Sequence, residues 1–398
     1  MSGPRVVIVG AGIMGLATAW NLARRGIRDI TVVDRGYLCG GASGRNGGGV
    51  RAQFSSEDNV RLMRESIEVC RDFAAEMGIN VWFRQGGYLF LARGEARAKA
   101  LEASVALQNR CGLATRMLDP RDALKVVPEL DVTGVTAASF NPDDGVVFPW
   151  PFVWGYARAA QALGATIRTF TEVVDVVTRD RRVTAVRVRP TRLSPLSADD
   201  AVLGAGEPFD LPCDELVVCA GAWSPEVGRM VGLALPNKPH RHEICSTDPL
   251  KPWLGPLVAD LSDGLYFSQS MRGEIVGGVA VDPVPDGIDQ RSSRQFLATY
   301  ARALVRCVPR LARVKVLRQW AGCYDLTPDG GPIVGRVDAY ENLSFACGFM
   351  GHGFMMAPVV GRLLAEHVAT GETTALFRRW SLSRFARGEL LNETMIIG

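Results

Sequence analysis

Residues 6–34 constrain the fold of this chain more than any other stretch. They read V-V-I-V-G-A-G-I-M-G, then a helix-like run, then I-T-V-V-D. Val6, Val7, Ile8 and Val9 suffice for one buried strand. Gly10, Gly12 and Gly15 follow at once in G-x-G-x-x-G spacing. The first glycine allows a sharp turn, the second leaves room for a pyrophosphate, and the third lets helix and strand pack closely. Residues 13–25 read as a helix stopped by Gly26, and residues 30–33 as a second buried strand ending in Asp34. Ile13 and Met14 open the helix, whose free N–H groups and partial positive charge suit a diphosphate. Asp34, nineteen residues after Gly15, can accept from ribose hydroxyls and disfavours a ribose 2′-phosphate; Arg35 follows it. A glycine fingerprint alone is weak. Strand, glycines, helix, strand and acid in that order predict a dinucleotide-binding unit, without separating NAD from FAD.

The rest of the chain must complete that unit. Its 398 residues allow two or three domain-sized units with a large core. A net charge of +3, with arginine spread along the chain, gives no basic patch for nucleic acid. The nine cysteines form no C-x-x-C pair and match no histidine spacing of a zinc site, and there are only four histidines, so no metal site is expected. An odd, scattered set of cysteines suits reduced thiols and a cytoplasmic setting. The first apolar stretch is the dinucleotide strand itself, too short to span a bilayer, so neither a membrane span nor a targeting segment is expected.

Residues 35–51 form a loop crowded with glycine, carrying Ser43, Gly44, Arg45, Asn46, Gly47 and Gly48. That composition suits either a surface loop or close backbone approach to a flat ligand. Helices are predicted over 56–77, with Ser56 able to cap, and over 95–111, 119–127 and 152–163. Strands are predicted over 86–92, 166–177 (which holds Val173) and 182–189. Residues 190–212 read as loop. Residues 213–221 read as a strand that runs into Ala220, Gly221, Ala222 and Trp223, bare backbone placed beside a ligand. From 236 to 320 strands such as 264–270 and 274–279 alternate with proline turns around one helix over 292–308, an antiparallel sheet unlike the start. Glycine loops return at 327–335 and 348–361, the second opening a helix to about residue 369.

The expected fold is therefore α/β with an α+β insertion: a discontinuous Rossmann-like coenzyme domain (1–80, 146–232 and 321–398) holding an antiparallel-sheet substrate domain (81–145 and 233–320).

Five motifs, V-G-A-G-I-M-G, A-S-G-R-N-G-G, V-V-C-A-G-A-W, T-P-D-G-G-P-I-V-G and G-F-M-G-H-G-F, occur in the order found in the D-amino-acid-oxidase-like flavoproteins. The chain resembles that family over nearly its whole length. S-G-R-N-G-G-G-V-R and G-H-G-F-M-M-A-P are most similar to the β subunits of heteromeric sarcosine oxidases, proline dehydrogenases and opine oxidases. The resemblance implies FAD as cofactor, and electron-transfer partner subunits. Monomeric sarcosine oxidase carries its flavin on a cysteine six residues before the Pro-Asp of the T-P-D-like motif. Gly322 stands there and Cys323 is one residue off, so noncovalent FAD is expected. The histidine that carries FMN in heterotetrameric sarcosine oxidase has no counterpart in F-P-W-P-F-V-W-G-Y, so any FMN would be noncovalent, at a subunit interface.

The resemblance also implies a site. Arg51 resembles the family's carboxylate-binding arginine. Met355 replaces the lysine after G-H-G-F that helps hold a carboxylate, and the flavin-facing lysine associated with oxygen activation is missing from 274–279. Gly351, His352, Gly353 and Phe354, at a helix start, would stabilise charge on the reduced flavin. Tyr266 and Tyr324 would bound the substrate; His240 and His242 read as structural. The expectation is an FAD-dependent dehydrogenase that oxidises the C–N bond of a sarcosine-, proline- or opine-like amino acid to an imine, as the catalytic β-type subunit of a hetero-oligomer. A self-contained peroxide-producing oxidase and a non-catalytic FAD-binding scaffold are the alternatives.

Overall fold

A computed structural model of the chain describes residues 3–194, 202–285 and 287–397. The coenzyme-type sheet has six strands, ordered Ile333–Arg336, Leu343–Cys347, Glu215–Val218, Val6–Val9, Ile30–Val33 and Thr166–Arg168. All pair in parallel except Ile333–Arg336. Val6–Val9 is central and buried along its length, which is why it lacks the alternation of a half-exposed strand. The helix Ile13–Arg24 follows at once, and at Gly15 a Cβ would sit 2.0 Å from the Gly10 carbonyl oxygen. The expected close packing of helix on strand therefore admits no side chain there.

Helices from distant parts of the chain share one core with this unit. Gly353–Thr370 lies on Ile13–Arg24, with Gly361 directly against Ala17. Pro149–Ala162 joins them through Trp20 and Tyr156, whose rings meet edge-on at 5.4 Å. The coenzyme unit is discontinuous, as expected.

A second sheet of eight strands runs Val316–Leu326, Lys238–Thr247, Ile275–Gly278, Leu265–Gln269, Leu257–Asp260, Tyr88–Ala92, Ala137–Asn141 and Arg116–Leu118. Its pairings are antiparallel except that of Leu257–Asp260 with Tyr88–Ala92. The helix Arg294–Cys307, capped by the Ser293 hydroxyl on the Phe296 N–H, closes an apolar core on this sheet.

Several expectations shift. Residues 190–212 are not simply loop: Arg182–Leu193 runs past Pro190, and Val202–Gly204 and Phe209–Pro212 pair with it antiparallel. Prolines and exposed positions hid that ribbon, and residues 195–201 lie outside the described residues. The predicted strand 166–177 is two strands in two sheets, broken where Phe170 adopts a φ of 52°. The helix predicted from 152 starts at Pro149, because proline fits a first turn whose N–H groups have no helical partner. Ser56 precedes the helix Glu57–Met77 but makes no side-chain cap. The strands Lys238–Thr247, with two histidines and several charges, and Val316–Leu326, interrupted by Arg318, Gln319, Gly322 and Asp325, escaped prediction because neither shows a clean period of two. All nine cysteines are free and buried. Among the described residues, no helix is long and apolar enough to cross a membrane, and no group of His, Cys, Asp and Glu could hold a metal.

Candidate functional site

A cavity of about 570 Å³ is lined both by the glycine turn after Val9 and by the eight-stranded sheet. Of the expected coenzyme residues, Gly10, Gly12, Ile13, Met14, Asp34 and Arg35 line it. So do Ser43, Arg45, Asn46, Gly47 and Gly48 from the glycine-rich loop, and Val173, Ala220, Gly221 and Trp223 from across the sheet. Gly351, His352, Gly353 and Phe354 close it from the start of the helix Gly353–Thr370. Gly15 and Gly44 do not reach the lining. Gly15 packs helix on strand, and a Cβ at Gly44 would meet the Cys39 carbonyl oxygen at 2.3 Å.

Hydrogen bonds show how that wall is built. Asp34 Oδ2 accepts from the Ala11 N–H at 2.7 Å and Oδ1 from the Gly36 N–H at 2.9 Å. The carboxylate thus fastens the glycine turn to the end of the second strand. Each oxygen keeps a second acceptor position. Burial pushes its pKa up, against the pull of these two N–H groups. Ser43 Oγ accepts from the Ile13 N–H at 3.0 Å and so ties the glycine-rich loop to the helix start. Arg45 donates to the carbonyls of Gly40 and Ala321 at 2.9 and 3.0 Å. Asn46 donates to the Ser43 carbonyl at 2.7 Å and accepts from the Gly48 N–H at 2.8 Å. Arg45 and Asn46 thus hold the loop's shape.

At the other end, Arg51 is fully buried. Its Nη1 donates to the Gln53 carbonyl, and its Nη2 donates to the Met395 carbonyl and lies 2.9 Å from His352 Nε2. Its guanidinium stands 4.0 Å over the Phe54 ring. All three hydrogen-bonding partners are uncharged, and no ion pair forms with Arg51 among the described residues. Burial lowers its pKa, while Tyr88, Glu393 and Asp144 nearby favour the charge. A buried guanidinium without a contact counter-ion is costly, and an anion would relieve it.

His352 is also buried, and burial together with the Arg51 charge holds its pKa well below the usual histidine range. Gly351 before it has a φ of +82°, and a Cβ there would sit 2.5 Å from the Tyr324 ring. That glycine lets the helix start press against Tyr324. Tyr324 in turn stacks on His242, with centroids 4.4 Å apart, and His242 Nε2 lies 3.0 Å from the Tyr266 hydroxyl. Burial pushes the His242 pKa down to about 3 and the Tyr324 pKa up, so both rings are uncharged near neutrality. Met355 brings an apolar side chain to the lining, and among the described residues no lysine lines the cavity.

The structure therefore brings Arg51, His352, Tyr266, Tyr324 and Met355 to one end of one cavity. It adds residues the sequence did not single out. His242 was read as structural, yet its ring lines the cavity between two tyrosines. Asp144 lies behind Arg51, accepting from the Ala52 and Gln53 donors at 2.7 and 3.0 Å, and burial pushes it up to about 7. Tyr88 and Ile397 also line the cavity. The spacing of His240 and His242 on one strand face was a signal for the first; nothing in the sequence marked Asp144 or the segment around Ile397. Cys323 is buried, and its thiol donates to the Asp289 carbonyl at 3.5 Å.

Residues 5–367 match the family model described as FAD dependent oxidoreductase. The chain is 30% identical over 399 residues to "Sarcosine oxidase subunit beta" of Rhodobacter capsulatus, covering 99% of this chain and 91% of that protein. The solved L-proline dehydrogenase of P. horikoshii is 32% identical and superposes with a TM-score of 0.86, covering 98% of this chain and 99% of that one. Glycine oxidase from Geobacillus kaustophilus is 25% identical with a TM-score of 0.82, covering 96% and 99%.

Proposed function

The chain belongs to the FAD-dependent oxidoreductase family, and from that premise we propose that it oxidises the C–N bond of a secondary, cyclic or N-substituted amino acid to an imine. Sarcosine-, proline- and opine-like compounds are the intended class. The observation that carries the substrate half is Arg51. Its buried guanidinium meets only neutral partners, and a substrate carboxylate supplies the absent counter-ion through charge-assisted hydrogen bonds.

The residues present fit FAD. A glycine turn, the glycine-rich loop and two helix starts lie on the wall of one cavity, with the Asp34 carboxylate beside the first turn. Gly12, Ile13, Asp34 and Ser43 would hold the adenine, ribose and diphosphate half. Gly47, Gly48 and residues 351–354 would flank the reacting ring. FAD, when bound, supplies the two-electron acceptor for the reaction. The chain's own part is to bind and orient. Arg51 takes the carboxylate, and its charge in a site of low dielectric disfavours a substrate ammonium, which keeps the amine neutral. The start of the helix Gly353–Thr370 offers N–H groups and a positive dipole end to negative charge. Tyr266, Tyr324 and Met355 bound the pocket, and the buried rings exclude water.

Electrons would leave through partner subunits, with this chain as the catalytic β-type subunit of a cytoplasmic hetero-oligomer. Three features support that reading: the likeness to a sarcosine oxidase β subunit, Met355 in place of a lysine, and a cavity wall without lysine. Noncovalent FAD is supported by Gly322, which leaves no thiol at the position where monomeric sarcosine oxidase carries its flavin; Cys323 beside it lines the cavity with its thiol donating to the Asp289 carbonyl. Any FMN would be noncovalent, at a subunit interface. The proposed division into a coenzyme part (1–80, 146–232, 321–398) and a substrate part (81–145, 233–320) is supported by the separation of the two large sheets, although the strand Val316–Leu326 of the eight-stranded sheet crosses its last boundary. The likeness to a glycine oxidase favours a second reading, a self-contained oxidase producing peroxide.

The test is an anaerobic flavin-reduction screen against D- and L-amino acids, N-methyl amino acids and opines. Bleaching by secondary amino acids, with little peroxide in air, is expected. Bleaching chiefly by glycine, with stoichiometric peroxide, would favour the oxidase; no bleaching by any of them would leave a scaffold.

A further inference from the structure

The segment after the last helix returns to the substrate end of the cavity. Glu393 is its fastening. Its carboxylate accepts from the Ser55 N–H at 2.8 Å, from the Ser56 hydroxyl at 2.9 Å, from Asn59 Nδ2 at 2.9 Å and from the Ser55 hydroxyl. Thr394 N–H donates to the Ser55 hydroxyl at 2.8 Å, and Met395 N–H to Glu393 itself at 3.0 Å. These groups sit at the start of the helix Glu57–Met77, where the positive end of the dipole favours a carboxylate. Ser56 serves Glu393, which accounts for its not capping that helix.

From this fastening the chain enters the pocket. Met395 is buried in a cluster with Tyr88, Phe90 and Leu257, its carbonyl accepts from Arg51 Nη2, and Ile397 lines the cavity. Arg51 Nη2 carries two hydrogens, and the Met395 carbonyl and His352 Nε2 engage both. A carboxylate that binds through Nη2 must displace one of them. His352 is held at a helix start, whereas residues 391–397 belong to no helix or strand.

We propose that residues 393–397 are an internal competitor for the carboxylate site: the Met395 carbonyl holds the Arg51 donor that a substrate carboxylate takes, and Glu393, as a positioning residue, sets how firmly it is held. Ile397 makes the same segment a limit on substrate size. This rests on the reading of Arg51 as the carboxylate anchor.

The experiment uses the FAD-loaded protein and methoxyacetate, a carboxylate that cannot be oxidised as an amine, with the Kd read from the perturbed flavin absorption band. Wild type, Glu393→Ala, Glu393→Gln and Arg51→Met are compared. The expected result is a Kd about three- to tenfold lower in Glu393→Ala, the worth of one weakened hydrogen bond, with Glu393→Gln between it and wild type. Sarcosine or proline, whichever bleaches the flavin, should then half-saturate at lower concentration with an unchanged limiting bleaching rate. Arg51→Met should bind methoxyacetate far more weakly. Unchanged binding in Arg51→Met would overturn the anchor itself. Lost binding in Arg51→Met, with unchanged or weaker binding in both Glu393 variants, would overturn the competitor alone. If the Glu393 variants do not fold, hydrogen exchange on wild type decides: methoxyacetate should speed exchange of the 393–397 amides, and slower or unchanged exchange would overturn the proposal.

Discussion

Arg51 Nη2 and His352 Nε2 lie 2.9 Å apart, joining residues 301 positions distant in the chain. A guanidinium only donates, so Nε2 accepts, and His352 is neutral with its proton on Nδ1. The substrate end of the cavity therefore carries the positive charge of Arg51 without a second one from the histidine. His352→Gln can still present an acceptor to Nη2, whereas His352→Leu cannot. The leucine variant should lose about 1–3 kcal/mol of stability relative to the glutamine variant, the usual cost of leaving a buried donor unmet. Thermal denaturation of the two holoproteins checks this, and equal melting temperatures would mean that the bond contributes nothing.

Arg51→Lys tests geometry rather than charge. A lysine ammonium is a compact point charge and cannot serve the Gln53 carbonyl, His352 and a substrate carboxylate as the planar fork does. Substrate affinity should fall by about 1.5–3 kcal/mol, roughly 10- to 150-fold, as for loss of a charge-assisted hydrogen bond. The concentration of substrate that half-saturates anaerobic bleaching measures it. Affinity within twofold of wild type, or about 0.4 kcal/mol, would show that only the charge matters.

Gly351→Ala combines two penalties. The φ of +82° is unfavourable for alanine, and the new Cβ would sit 2.5 Å from the Tyr324 ring. Strain of about 1–3 kcal/mol is expected from the backbone alone. The ring contact should also shift Tyr324 off His242 and move the start of the helix Gly353–Thr370. Reduced flavin content and a lower melting temperature should appear together. Wild-type flavin content at a wild-type melting temperature would show that the helix start has slack.

The coenzyme half was legible in the sequence because its physics is local. Val6 to Asp34 encode a strand, a turn, a helix and a strand in consecutive residues, and each glycine answers a nearby backbone. The substrate half was legible only in part. Arg51 and His352 could be named through resemblance, but their contact spans the chain. Asp144 and the Glu393–Ile397 segment carry no motif, since a buried carboxylate or a carbonyl ligand depends on what folds around it. Strands such as Lys238–Thr247 hid because histidines and charges stand where a period of two would show apolar residues.

His242 makes a prediction about pH. Unfolded, its imidazole titrates near 6.5; folded, burial holds it down to about 3. Between those values the unfolded chain binds a proton that the folded one refuses, so this histidine makes stability fall as pH drops below 6.5, by at most about 1.4 kcal/mol per pH unit. Asp144 opposes it. Its carboxyl titrates near 3.8 unfolded and about 7 folded, so its stabilising contribution is complete below 3.8 and is lost as pH rises through 7. The two partly cancel in wild type, and a variant separates them. On going from about pH 7.5 to about pH 5, His242→Asn should lose less melting temperature, or gain more, than wild type, because the variant has no buried imidazole to withhold from protons. The Asp144 contribution is common to both proteins and drops out of the comparison. An equal change in both would mean that His242 is protonated in the folded protein, and that the stacked His242–Tyr324 pair is a cation on a ring rather than two neutral rings.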